Sequence, residues 1–160
     1  MKSSLLMNIS IRRATVGDID SIITWQIAMA QETEGLVLDR ATVRRGVTQV
    51  FESPNLGYYL VADVEGQLAG CMLVLSEWSD WRAGMVLWLH SVYIEPPKRK
   101  MGVFKAFYEC VKKSVINDST LRGIRLYVDK SNNSAASVYR KLGMSSEHYE
   151  LFEWMVGESD

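Results

Sequence analysis

Pro96-Pro97-Lys98-Arg99-Lys100-Met101-Gly102-Val103-Phe104 joins the end of a strand-like run to the start of an amphipathic helix through three basic residues and one glycine. Backbone N–H groups left unpaired in a first helical turn, with the positive end of the helix dipole behind them, hold a polyanion without a metal or an acidic ligand. Read by itself, the stretch is equally a strand-to-helix turn with solvated lysines. Its setting favours phosphate: the segment before it is apolar and β-branched, the prolines stop the strand, and the helix after it is well patterned. A pyrophosphate-bearing cofactor is the expectation.

Outward from this junction the chain alternates between two periods. Tyr58 to Asp63 and Gln67 to Leu75 are β-rich runs around Val64-Glu65-Gly66, which predicts a hairpin. A second hairpin joins the region of Trp78 to Met85–Glu95 through the loop from Ser79 to Gly84. Ile9 to Arg13 reads as a strand. Thr15-Val16-Gly17-Asp18 then resembles a capping box ahead of Ile19, Ile22, Ile23 and Ile27, and Asp39 caps a second helix carrying Val43, Val47 and Val50. After Gly102, Val103, Phe107, Cys110 and Val111 share one helical face. Ile124, Leu126 and Val128 alternate as a buried strand, Asn132 or Asn133 caps a short helix to Leu142, and Gly143 fits a left-handed end cap. The aromatic run His148 to Met155 reads as a last strand. The sum is a mixed α/β sheet covered by helices, in one domain over residues 1–160 with residues 1–7 and 156–160 as flexible ends.

Lys and Arg number 18 against 19 Asp and Glu, a net charge of −1, so no broad field draws nucleic acid or an anionic membrane. The basic run at Lys98 to Lys100 is local, as a small anionic ligand needs. With 48% apolar residues the chain can bury a substantial core, yet no apolar run has the length to span a bilayer. Met1 to Met7 is too short in its apolar part for a signal peptide. Cys71 and Cys110 stand apart with no metal-ligand spacing, so neither a disulfide framework nor a metal site is expected. These readings predict a soluble cytoplasmic protein without metal, nucleic-acid partner or membrane partner.

A second motif lies downstream: Asn133-x-x-Ala136, then Tyr139-Arg140-Lys141-Leu142-Gly143-Met144. Tyr139 is there either a packing residue of the helix end or a phenol poised to donate a proton. Taken with Arg99-x-x-Gly102-x-Phe104, this pair resembles the GNAT superfamily of N-acetyltransferases. Its cofactor loop runs Gln/Arg-x-x-Gly-x-Gly/Ala, and its later motif runs Asn-x-x-Ala…Tyr-x-x-x-Gly-Phe. The order of strands and helices from Ile9 to Met155 resembles that fold too. The resemblance implies a GNAT-like, mostly antiparallel central sheet flanked by helices and splayed between its fourth and fifth strands.

It implies further that acetyl-CoA is the co-substrate. The amides of Arg99, Lys100, Met101, Gly102, Val103 and Phe104 would hold its pyrophosphate, and the strand edge from Val92 through Tyr93 to Ile94 would pair with pantetheine. Asn133 and Tyr139 would line the opposite wall, with Tyr139 protonating the departing thiolate. Phe104 departs from the family pattern, which has glycine or alanine there; its side chain must turn inward so that only its N–H faces phosphate. Dimers are common in that family, and His148 to Trp154 offers a strand to a second copy.

An amine must be neutral to attack, so a group must accept its proton. On an extended strand Trp88, His90, Val92 and Ile94 would share one face, and His90 titrates near neutrality. His90 resembles by position the glutamate proposed as base in spermidine/spermine acetyltransferases. A hydrogen-bonded core histidine fits the position as well, and Glu95 or a water chain are the other bases. Glu32 and Glu34, with Trp78 and Trp81 near Glu77 and Asp80, suit the rim of a site for a small amine or polyamine through ion pairing and cation–π contact. A solvated acidic loop fits them equally. A non-catalytic acyl-CoA-binding or regulatory module on the same fold is the other functional reading.

Overall fold

The computed structural model of the chain describes residues 7–157. The expected flexible ends, 1–7 and 156–160, lie for the most part outside those residues. The chain divides into two compact units, Met1–Tyr127 and Val128–Asp160.

The first unit holds a five-stranded sheet in the order β1 (Ile9–Arg13), β2 (Gly57–Val64), β3 (Gln67–Ser79), β4 (Gly84–Ile94), β5 (Leu121–Leu126). The first three junctions are antiparallel and the last is parallel. The β2–β3 hairpin closes through Glu65 and Gly66, both with positive φ (53° and 77°), the mirror-image turn whose twist matches the strands. Helices α1 (Ile19–Glu34) and α2 (Arg40–Glu52) cover one face. There Ile22, Ile23 and Trp25 of α1 and Val47 and Val50 of α2 pack with Tyr59, Val61, Cys71 and Tyr93. Helix α3 (Val103–Asn117) buries Val103, Phe107, Tyr108 and Val111 and packs against β1, β2, β4 and β5.

Polar side chains set where these helices begin. Asp18 accepts from the Thr15 amide at 2.8 Å and from both Arg12 Nη atoms at 2.8 and 3.0 Å, so β1 and the entry to α1 are tied together. The Arg12 hydrogen bond holds the Asp18 carboxyl below the usual aspartate range against the opposing effect of burial. Asp39 caps α2 by accepting from the Thr42 amide at 2.8 Å.

The junction of β4 with β5 is short. Its ladder runs from Met85↔Leu121 to Leu89↔Leu126 and stops there, although β4 continues to Ile94. The sheet thus splays between its fourth and fifth strands. No helix among the described residues is long and apolar enough to cross a membrane.

In the second unit α4 (Asn133–Lys141) is capped by Asn132, whose side chain accepts from the Ala135 amide at 3.0 Å. It ends with Met144 N–H donating to Tyr139 O and Gly143 N–H to Arg140 O, at 3.1 and 3.0 Å, with Gly143 at φ 90°. This is the paired-bond left-handed end expected from the sequence. The run His148 to Met155, by contrast, is not a strand. Alternating aromatics make a strand only where a ladder satisfies the backbone. This segment forms none among the described residues, and Tyr149, Phe152 and Trp154 are 78%, 89% and 78% exposed.

Candidate active site

Beyond the last β4–β5 pair, β4 carries a bulge. Leu73 faces His90 and Cys71 faces Tyr93, so Met72 alone stands against Ser91 and Val92, and Ser91 has φ 50°. Directly opposed residues share a face, so His90 and Tyr93 lie together on the α1–α2 side. Ile94, opposite Gly70, lies on the other side. The expected single face of Trp88, His90, Val92 and Ile94 is therefore corrected: one inserted residue reverses the alternation, and only Trp88 and His90 keep it.

Helix α1 grips this bulged segment with polar side chains. Gln26 Nε2 donates to Ser91 O at 3.2 Å and to Cys71 Sγ at 3.3 Å, and Trp25 Nε1 donates to Glu95 Oε1 at 2.6 Å. Glu32 accepts from Tyr93 Oη at 3.1 Å and from Arg99 Nη2 at 2.7 Å, while Arg99 Nε donates to Ile94 O at 2.8 Å. The hydrogen bond from Arg99 is the main reason that the Glu32 carboxyl sits below the usual glutamate range. Glu32 and Arg99, assigned by sequence to the acceptor rim and the phosphate loop, are thus bonded to each other. Glu34 is exposed near the end of α1.

The basic loop starts with one 3-10 turn, Pro96–Lys98. Lys100 (φ 61°) and Gly102 (φ 86°) are both left-handed, and α3 begins with Ala106 N–H on Gly102 O at 3.0 Å. The amides of Lys100, Met101 and Gly102 donate to no protein acceptor among the described residues. A Cβ added to Gly102 would meet nothing within 4 Å, so its surface is open to an approaching group. Val103 is buried and Phe104 half-buried in the first turn. Lys98 is half-buried; Arg99, Lys100 and Met101 are exposed.

At the vertex of the splay three rings meet. Trp88 and His90 stack at 6.0 Å and 18°, Tyr127 lies 4.6 Å from Trp88 and 5.6 Å from His90, and Arg125 stands 5.9 Å over Trp88. Arg125 also pairs with Glu77 at 3.0 Å. The Trp88 indole N–H is buried with no hydrogen-bond partner among the described residues. Burial lowers the pKa of His90 below 6.5, which leaves a neutral imidazole able to accept a proton near pH 7. On the β3–β4 hairpin Trp78 and Trp81 are 60% and 89% exposed.

In the second unit Asn133 opens α4 and Tyr139 is half-buried, its phenol raised above the ordinary value by burial and therefore protonated at neutral pH. Cys71 is no nucleophile: burial pushes its thiol up to about 12. No group of three or more His, Cys, Asp or Glu among the described residues could hold a metal ion. Sequence reasoning missed Ser91, Gln26 and Tyr127. Only Gln26 carried a signal, as an amide set within the apolar stripe of Ile22, Ile23 and Ile27.

A sequence model of the Acetyltransferase (GNAT) family matches residues 20–144. No curated protein matches the chain in sequence. Among solved structures, a possible acetyltransferase from Clostridium difficile 630 is 34% identical, with 94% of this chain and 99% of that one covered and a TM-score of 0.85. The aminoglycoside N-acetyltransferase AAC(6')-Iy, solved with CoA, shares the fold at 14% identity, with 94% and 96% covered and a TM-score of 0.74. Glucosamine-6-phosphate N-acetyltransferase from Arabidopsis thaliana does so at 17% identity, with 92% and 98% covered and a TM-score of 0.69. With the family match running from α1 past α4 and a 34% identical relative over nearly its whole length, the chain belongs to the GNAT acetyltransferase family.

Proposed function

We propose that the protein is an acetyl-CoA-dependent N-acetyltransferase that moves the acetyl group directly to the primary amine of a small molecule, residues 1–160 acting as one catalytic domain in the cytoplasm. The observation that carries this reading is the path of β4. It leaves β5 after Leu89 and leads into a loop whose Lys100, Met101 and Gly102 amides have no protein acceptor among the described residues. A strand edge followed by open amides at a helix start suits pantetheine followed by pyrophosphate.

In this reading the amides from Lys100 to Phe104 and the charge of Lys98 and Lys100 bind the diphosphate, and Val92 to Ile94 line the pantetheine. Arg99 anchors the loop through Glu32 and Ile94 O. Asn133 is a further cofactor contact in this reading. The amine lone pair attacks the thioester carbonyl carbon and forms the C–N bond. The C–S bond then breaks, and the thiolate takes a proton from Tyr139. His90, neutral through burial, or a water beside it receives the proton that the amine gives up. With Cys71 locked as a thiol, direct attack in a ternary complex needs no covalent enzyme intermediate. A homodimer belongs to the same reading.

Acetyl-CoA at a hundredfold excess over its Kd is expected to stabilise the fold by about 2.7 kcal/mol, read as a rise in Tm. Gly102→Asp is expected to abolish that rise, because a carboxylate would stand where phosphate binds. Wild type should also release free CoA when given primary amines. No rise in Tm at saturation would overturn the cofactor, and a rise without turnover of any amine would leave a binding module only.

A further inference from the structure

We infer that the acceptor is a ring-bearing amine, an arylalkylamine rather than a polyamine, laid on a platform of Trp88, His90 and Tyr127; the assignment rests on the acetyl-transfer reading of the same opening and adds its substrate class. Leu89↔Leu126 is the last β4–β5 pair, so His90 is the next residue of β4 and Tyr127 the first residue after β5. They stand at the vertex of the splay with rings 5.6 Å apart. Trp88 and Arg125 are paired across the ladder, and His90 and Tyr127 follow each by two residues, so all four point to one face, the one that α1 and α2 cover.

The platform is aromatic and, near neutrality, uncharged, because burial keeps His90 deprotonated. Tyr127 is 50% exposed, which leaves ring surface for a ligand. Two of the carboxylates a polyamine would seek are already paired within the protein. Glu32 is held by Arg99 at 2.7 Å and Glu77 by Arg125 at 3.0 Å. Arg125 also places a cation 5.9 Å over Trp88, which repels a second cation from that ring. A flat ring stacks there without such a penalty. A ring seated against Tyr127 with its amine on a short arm brings the nitrogen beside His90, where its proton must go.

The test measures CoA release with 2-phenylethylamine, its saturated counterpart 2-cyclohexylethylamine, and spermidine, in wild type, Tyr127→Leu and Tyr127→Phe. Wild type is expected to favour the aryl amine over the saturated one by about 2- to 12-fold in kcat/KM, the worth of a ring–ring contact beyond its buried area. Spermidine should be the poorest of the three. Tyr127→Phe should keep the aryl preference and Tyr127→Leu should lose it through KM. Equal or better use of spermidine or of the saturated amine overturns the substrate class and leaves acetyl transfer standing, as does an unchanged preference in Tyr127→Leu. Turnover of no amine overturns both. Should Tyr127→Leu fail to fold, the wild-type ratio decides alone.

Discussion

The two halves of β4 are one strand held in two ways. Met85 to Leu89 is bonded to β3 on one side and β5 on the other, and Leu87 and Leu89 are each 3% exposed. His90 to Ile94 keeps β3, has left β5, and bulges at Ser91. What fixes it comes from the face: Gln26 on Ser91 O, Glu32 on Tyr93, and Arg99 bridging Glu32 to Ile94 O. In the proposed reading this strand edge stays open to a ligand and so cannot be held by a neighbouring strand; α1 holds it with polar side chains instead. The first half is held by strands on both sides, and in the proposed reading the chemistry falls in the second.

That division is broken most forcefully in the first half. Leu87→Ala should cost about 2–5 kcal/mol through lost burial and the cavity left behind, read as a lower midpoint in urea. Turnover per folded molecule should hold near wild type. A variant of full stability with a collapsed kcat would mean that the paired half also shapes the reaction.

In the second half the largest effect falls on His90. His90→Gln should lower kcat by roughly 10²-fold if the imidazole is the base, while keeping the acetyl-CoA rise in Tm. Burial depresses the pKa of His90 from 6.5, so the acid limb of kcat/KM should lie below that value and vanish in the variant. The sign for stability follows from the same shift. The unfolded chain binds this proton more readily than the folded one, so wild type loses stability relative to His90→Gln as pH falls below 6.5. An acid limb that survives in the variant would remove His90 from the proton path.

Much of this was written in short-range signals. Glu65-Gly66, Asp39, Asn132 and Gly143 each impose a local backbone geometry, so the hairpin, the helix starts and the end of α4 could be placed from the chain alone. The strand-to-helix junction at Gly102 was legible for the same reason, since a left-handed glycine at a helix start is a local demand. What escaped was set by tertiary pairing. Nothing in Leu89-His90-Ser91-Val92 marks Ser91 as left-handed; the bulge appears only when β4 is laid against β3, and it reassigns every face after it. The aromatic run from His148 failed as a strand because pattern supplies side chains and not a ladder. Glu32 looked like a ligand for cations until folding brought Arg99, 67 residues away, onto it.

The smallest expected effect tests the grip of α1 most directly. Gln26 is 8% exposed, and its amide bonds both the bulge carbonyl and the Cys71 sulfur. Gln26→Leu keeps much of the volume and removes the donor, so the Ser91 carbonyl loses the bond that fixes it. The loss of one such bond is worth about 0.5–1.5 kcal/mol. Expressed at the strand edge, this is a rise of roughly 2- to 12-fold in the KM for acetyl-CoA. A merely structural glutamine would lower Tm and leave that KM unchanged, because the ladder with β3 alone would then define the edge. A raised KM at nearly wild-type Tm means instead that the open half of β4 owes its position to α1, and that packing of α1 and cofactor affinity are coupled through one buried amide.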